Sequence, residues 1–153
     1  MGLLEVPIIN TGNFIVDSVL NYKLSTIQDL EVEIDFEIFI PSSINIDTVH
    51  FVSILTNLLD NAIEALKAMK EKNNRILRIR IIYSKGRLIM TFQNSYEGDI
   101  LYKNGEICSS KFDLDKHGYG LGNVQRAIEP YNGLLKICHN GGVFSIQVLL
   151  YVR

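Results

Sequence analysis

Residues 47 to 71 keep a helical period without a break, and the chain then switches at once to a period of two. On a helical wheel Phe51, Val52, Leu55, Leu58, Leu59, Ala62, Leu66 and Met69 share one broad apolar side. RILRIRIIY (75 to 83) and RLIMTFQN (87 to 94) then alternate as two strands, with Ser84-Lys85-Gly86 between them as a hairpin turn. A helix this apolar on one side has to bury it against a second layer, and the strands beside it can supply that layer.

The remaining segments extend the same plan. Ile15, Val19, Leu20, Leu24 and Ile27 give a helical period over 14 to 30, with Thr-Gly-Asn at 11 to 13 as cap chemistry. VEIDFEIFI (32 to 40) alternates apolar and acidic residues as a half-buried strand, closed by Pro41-Ser-Ser. Residues 95 to 117 are polar and lack periodicity, which predicts a long loop of the kind that serves as a lid. Leu121, Val124, Ala127 and Ile128 mark a third helix, with Pro130 distorting its last turn and Asn132-Gly133 stopping it. LLKICHN and GGVFSIQVLLYVR form a closing strand pair around Asn140-Gly141-Gly142. The order predicts an α/β fold, helices on one face of a mainly antiparallel or mixed sheet, in one domain over 1–153.

Composition excludes several classes. A chain of 153 residues, 47% hydrophobic and 21% charged, suits a single domain with a real core. A net charge of -2 argues against a nucleic-acid surface, and no Lys/Arg block points to membrane attachment by charge. Cys108 and Cys138 form no CxxC and have no histidine at metal-ligand spacing, so reduced, structural or merely tolerated thiols in a cytoplasmic compartment are expected. The N-terminus lacks a signal-peptide pattern and Val6 breaks the myristoylation pattern. No apolar run reaches membrane-spanning length. A soluble domain is expected.

The polar side of the long helix is unusual. Asn57, Asn61 and Glu64 fall together opposite the apolar side, with Asp60 at the edge. Asn is a mediocre helix former because its amide competes for backbone hydrogen bonds. Short oxygen-bearing side chains suit magnesium, which takes hard oxygen ligands from a few protein groups plus phosphates and water. A plain polar helix face would look the same. A second signal lies in KHGYGLGNVQRAI (116 to 128), where Gly118, Gly120 and Gly122 alternate just before a helix. Backbone amides there can approach an anion at a helix N-terminus, with Lys111, Lys116 and His117 adding positive charge. The run is neither the Rossmann fingerprint nor a Walker A loop, and alone it is better read as a flexible turn. Together with the asparagine helix it describes a site for magnesium and polyphosphate.

Asn57-Leu-Leu-Asp-Asn-Ala-Ile-Glu-Ala65 resembles the N box of the superfamily uniting gyrase, heat-shock chaperone, histidine kinase and mismatch-repair ATPases. Gly118-Tyr-Gly-Leu-Gly122 resembles its G2 box. The order NLLDNAIEA, Asn94-Ser95, Ser110-Lys111, His117 to Leu121 and Tyr131-Asn132-Gly133 is similar to the ATP-binding catalytic domain of sensor histidine kinases of the peptide quorum-sensing receptor type. The resemblance runs from Thr11 to the final strand. It implies the Bergerat fold, a two-layer α/β sandwich whose mixed sheet is covered on one face by about three helices.

On the matching positions, the resemblance implies ATP and magnesium (Mg2+) as cofactors, with Asn61 as the metal ligand. Asn57, one turn earlier, would face the phosphates or their bound water. Asn94 stands where most of the superfamily has the adenine-binding Asp of its first glycine box, and the Asp-x-Gly-x-Gly pattern is absent. An asparagine can accept from the adenine amino group but lacks the charge assistance of a carboxylate. Lys111, His117, Gly118, Tyr119, Gly120, Leu121 and Gly122 are the further ATP-binding candidates, and nucleotide is expected to order the loop from about Glu97 to Lys116. Glu64 replaces a residue that is basic in many histidine kinases; it either holds a water of the metal shell or is a solvated helix residue.

The implied activity is transfer of the ATP gamma-phosphate to a histidine on a dimerisation hairpin, with a response regulator downstream. This chain has no such hairpin, and His50, His117 and His139 are not in phosphoacceptor context. The expectation is therefore an isolated, nearly inactive and monomeric catalytic domain cut from a cytoplasmic part of a membrane-bound homodimeric receptor, its first residues an expression scar. Two rival readings are a nucleotide-sensing module without transfer and a stand-alone serine kinase acting on an anti-anti-sigma partner.

Overall fold

The computed structural model describes residues 5–70, 74–97, the backbone of 107–109, and 121–153. Helix α1 spans Phe14–Ser25. Its N-cap Asn13 accepts from the Val16 N–H at 3.1 Å and donates its amide to the Pro41 carbonyl at 3.0 Å. One buried side chain thus caps the helix and ties it to the loop after the first strand. The helix expected over 14–30 is shorter than its apolar period. Thr26 closes it by donating its hydroxyl to the Lys23 carbonyl at 2.6 Å, and a 3-10 turn follows at Gln28–Leu30. The period runs on because Ile27, outside the helix, is buried in the same core.

Glu31 at φ 55° turns the chain into β1, Glu33–Phe39. Helix α2, Thr48–Ala68, begins at Asp47, whose carboxylate accepts from the Val49 N–H at 2.8 Å. It stops three residues before the expected Glu71. Arg75 meets its end: the guanidinium donates to the carbonyls of Leu66 (2.9 Å), Met69 (2.8 Å) and Leu30 (2.9 Å). A cation is favoured at a helix C-terminus, where carbonyls lack intrahelical partners.

Strands β2 (Ile76–Ser84) and β3 (Arg87–Ser95) form the expected hairpin. Lys85 (φ 50°) and Gly86 (φ 78°) both take positive φ, as a two-residue turn between twisted strands requires. Next come β4 (Ile107–Ser109), α3 (Gly122–Ile128), a 3-10 turn at Glu129–Tyr131 containing Pro130, β5 (Leu134–Asn140) and β6 (Val143–Tyr151). β4 corrects the expectation of an unbroken loop over 95–117: its residues pair antiparallel with Ile137 to His139 of β5.

The sheet order is β1-β2-β3-β6-β5-β4. β1 and β2 are parallel, so a crossover must join them, and α2 is that crossover. All other neighbours are antiparallel, which makes the sheet mixed. The core lies between Leu77, Ile79 and Ile81 of β2, Leu88, Met90 and Phe92 of β3, Ile146, Val148 and Leu150 of β6, and the helices above them. The result is a two-layer α/β sandwich with three helices on one face of a mixed sheet.

α2 packs against α1, α3 and β3, and its buried arc is wider than the wheel predicted. Ile54 and Ile63 are fully or almost fully buried, whereas Val52 is only half-buried. At the far end of α3, the Tyr131 hydroxyl accepts from the Asp47 N–H at 2.8 Å and lies 2.8 Å from His50 Nδ1. That contact pins the end of the α3 segment to the first turn of α2. Among the described residues, no helix is long and apolar enough to cross a membrane.

Candidate functional site

The middle turns of α2 hold four polar residues with four different fates. Asn57 is half-buried and donates its amide to the Ser53 carbonyl at 2.7 Å and to the Ser53 hydroxyl at 3.3 Å. Its side-chain carbonyl oxygen has no partner among the described residues. Asp60 is engaged by Lys23 of α1 at 2.7 Å. Asn61 is half-buried, and its side chain forms no hydrogen bond with any described residue. Glu64 is exposed and forms no ion pair among the described residues.

Asn94 closes the second wall. Strand alternation puts it on the helix-facing side with Leu88, Met90 and Phe92, 2% exposed and between Leu77 of β2 and Phe144 of β6. Its amide nitrogen donates to the Ser95 carbonyl at 3.0 Å. The carbonyl oxygen has no partner among the described residues, so the side chain presents an acceptor. Ser95 fixes this strand end against α2: its hydroxyl accepts from the Ile76 N–H at 2.9 Å and lies 3.3 Å from Met69 Sδ. Beyond it, the Glu97 carboxylate accepts from the Lys70 N–H at 2.7 Å.

The third element is the start of α3, the end directed away from the Tyr131 pin. Leu121 precedes the helix fully buried, and Gly122 is its first residue. No side chain caps that end among the described residues. Lys111, His117, Gly118, Tyr119 and Gly120, with the expected lid between Glu97 and Lys116, lie outside the described residues apart from Glu97 itself and the backbone of β4.

Sequence reasoning missed three supporting residues. Ser53 orients Asn57, and its spacing of four residues on a helix is the signal that could have found it. Lys23 removes Asp60 from the polar group, and Ser95 anchors the strand end that carries Asn94. The two described histidines are held in packing roles. His50 bonds to Tyr131, and His139, 2% exposed, lies 3.3 Å from the Tyr96 hydroxyl with the rings 4.3 Å apart. Burial pushes the His139 imidazole below its ordinary range, opposed in part by a backbone hydrogen bond.

Among the described residues no cluster of three His, Cys, Asp or Glu is present that could cage a metal. The donor set at α2 is amide oxygen, which fits a hard cation that keeps waters and phosphates as its other ligands. Two cavities lined by described residues lie elsewhere, one of about 510 Å³ on the open sheet face and one of about 1110 Å³ at the β2–β3 hairpin end.

The sequence model of the GHKL domain family matches residues 46–151, from the loop before α2 to the end of β6. The chain belongs to the GHKL domain family. Asn57, Asn61 and Asn94 fall inside the match, while α1 and β1 precede it. A search of curated proteins gives no match to this GHKL domain. Among solved structures, a nucleotide-free form of the catalytic domain of histidine kinase ThkA superposes with a TM-score of 0.67 at 17% identity, over 93% of each chain. Acinetobacter baumannii histidine kinase AdeS gives 0.64 at 16% identity, over 92% of this chain and 64% of that one. Full-length ShkA in complex with AMPPNP gives 0.65 at 16% identity, over 99% of this chain and 32% of that one. At these identities the likenesses establish the fold, that of histidine kinase catalytic domains.

Proposed function

We propose that this GHKL domain binds Mg-ATP and donates the gamma-phosphate to a histidine on a dimerisation hairpin of a cytoplasmic two-component receptor segment. The observation that carries the reading is Asn61: a half-buried amide at mid-helix, without a partner among the described residues, beside an aspartate already engaged by Lys23. Asn61 would supply one oxygen to magnesium, and Asn57, held by Ser53, would face the phosphates or their water. Bound magnesium neutralises phosphate charge, the main contribution a loose phosphoryl-transfer transition state requires. The acceptor imidazole forms a bond to the gamma-phosphorus as the bond to the bridging oxygen breaks, and ADP leaves. Asn94 would accept from the adenine amino group. Quorum-sensing peptide reception and transfer to a response regulator belong to the same proposal.

A specific feature favours a second reading. Asn94 is neutral where a carboxylate would strengthen adenine binding, which suits a module that senses nucleotide without transferring phosphate. Both readings are tested with one pair of proteins. Asn61→Ala should keep the fold, because Asn61 is not in the core and alanine is the better helix former. Its melting temperature without ligand should be unchanged or slightly raised, and its Mg-ATP-dependent shift should shrink toward zero. Equal shifts in variant and wild type would sink the metal assignment. A retained wild-type shift with no phosphohistidine, on mixing with a separately produced hairpin and labelled ATP, would favour the sensor.

A further inference from the structure

The sheet face turned away from the helices carries one row that is apolar on five consecutive strands. Register sets Phe39 beside Ile82, Ile82 beside Ile89, Ile89 beside Leu149, and Leu149 beside Leu134. Their chain neighbours Ile81, Leu88, Val148 and Leu150 are buried under the helices, so alternation puts the row on the open side. A solvated sheet face is ordinarily polar, and the next row here is: Glu37, Arg80, Thr91, Gln147 and Lys136. The ends of the apolar row stand open, Phe39 at 63% and Leu134 at 59%, while Ile82 and Leu149 are half-buried. Ile89 at its centre is 37% exposed, so the row is an apolar strip one residue wide on the sheet surface.

Its borders are cationic although the chain as a whole carries a net charge of -2. Arg87 lies two residues before Ile89 on the same strand face, and Lys85 and Arg153 line the hairpin-end cavity with it. Arg80 and Lys136 border the other side, where Glu37 is the one carboxylate of the row, 3.7 Å from Arg80. Lys85, Arg87, Lys136 and Arg153 form no ion pair among the described residues. Five strands about 4.8 Å apart make the row about 19 Å long, the length of about 13 helical residues. It runs across the strands, so its occupant cannot pair with their main chains, and a strip one residue wide beside a polar row suits a rod better than a flat lipid surface. We infer that this face docks an amphipathic α-helix of a protein partner, its apolar side along the strip and acidic residues along its borders.

The test is fluorescence anisotropy of the full chain with two synthetic helical peptides of about 14 residues. Both carry leucines on one side; one has glutamates along the borders and its twin has lysines. The acidic peptide should bind at least about tenfold more tightly than the basic one, and Phe39→Ser with Leu134→Ser should weaken it about tenfold or more. Arg87→Glu with Arg153→Glu, on exposed positions and checked for unchanged circular dichroism, should reverse the preference. Equal binding of the twins, no binding of either, or no reversal overturns the proposal. So does a dimer in sedimentation velocity that Phe39→Ser with Leu134→Ser abolishes, which would give the face to a second copy. Cosedimentation with phosphatidylserine vesicles that the same pair of substitutions abolishes, without acidic-peptide binding, would give it to a lipid surface and equally overturn it.

Discussion

Lys23 Nζ on α1 lies 2.7 Å from Asp60 Oδ1 on α2, one residue before Asn61. Successive residues on a helix diverge by about 100° around its axis, so the pair directs Asp60 to α1 and leaves Asn61 on another side. With the Asp60 side chain 45% exposed, the pair is screened and contributes about 0.5 kcal/mol. Lys23→Ala should therefore cost at most about 1 kcal/mol in urea unfolding and leave the Mg-ATP melting shift intact. Loss of that shift would bring Asp60 into the site and contradict its role as a helix-to-helix tie.

Arg75 is 7% exposed, and among the described residues its guanidinium is held by three carbonyls and by no carboxylate. Arg75→Leu keeps much of the volume but strands the carbonyls of Leu66, Met69 and Leu30. The expected loss is about 3 kcal/mol, read as a lower urea midpoint with an unchanged slope. A loss under about 1 kcal/mol would show that water replaces the guanidinium there without difficulty.

Gly133 follows Asn132, which holds φ 50°, and donates its N–H to the Ile128 carbonyl at 2.9 Å. A Cβ at Gly133 would sit 2.5 Å from Ile128 Cβ and 2.7 Å from its carbonyl oxygen. Both are fixed atoms of a fully buried residue. Gly133→Ala should cost about 2 kcal/mol by overpacking, measured as a fall in melting temperature. An unchanged melting temperature would mean that the α3 segment shifts freely against β5.

His139 links stability to pH. Its folded-state pKa lies below the ordinary 6.5 because burial disfavours the cation. As pH falls below about 6.5 the unfolded chain takes up this proton first, so the contribution is complete above that pH and is lost as pH falls toward the folded value. His139→Gln cannot take up that proton. The wild-type stability advantage over His139→Gln should thus shrink between about pH 7.5 and pH 5 in denaturant titrations. A constant difference would remove His139 as the source.

Local periodicity made α2, the β2–β3 hairpin and the strands β5 and β6 legible within a few residues, because each is specified by its own apolar spacing. The parallel pairing of β1 with β2 was not, since nothing in VEIDFEIFI states the direction of its neighbour. β4 escaped notice because its reason to be extended is β5, about thirty residues later. The apolar period of α1 overruns its helix because Ile27 serves the core from outside it. At the site, Asn57, Asn61 and Asn94 stood out as polar residues where helix or strand chemistry did not call for them. That Asp60 is turned elsewhere depends on Lys23, thirty-seven positions upstream, which no local window contains.

The last strand in the chain is an interior strand of the sheet. β6 lies between β3 and β5, so among the described strands β4 and β5 are hydrogen-bonded to the β1–β3 half through it. On a ribosome, the first three strands would emerge with the edge of β3 bare, and β5 would have only β4 beside it. Neither half could close until residues 143–151 were synthesised. Until then Phe92, Met90 and Leu88 would face a half-built layer, and the bare β3 edge would be open to pairing with other chains. Loss of these few residues would therefore split the sheet in two rather than trim its margin.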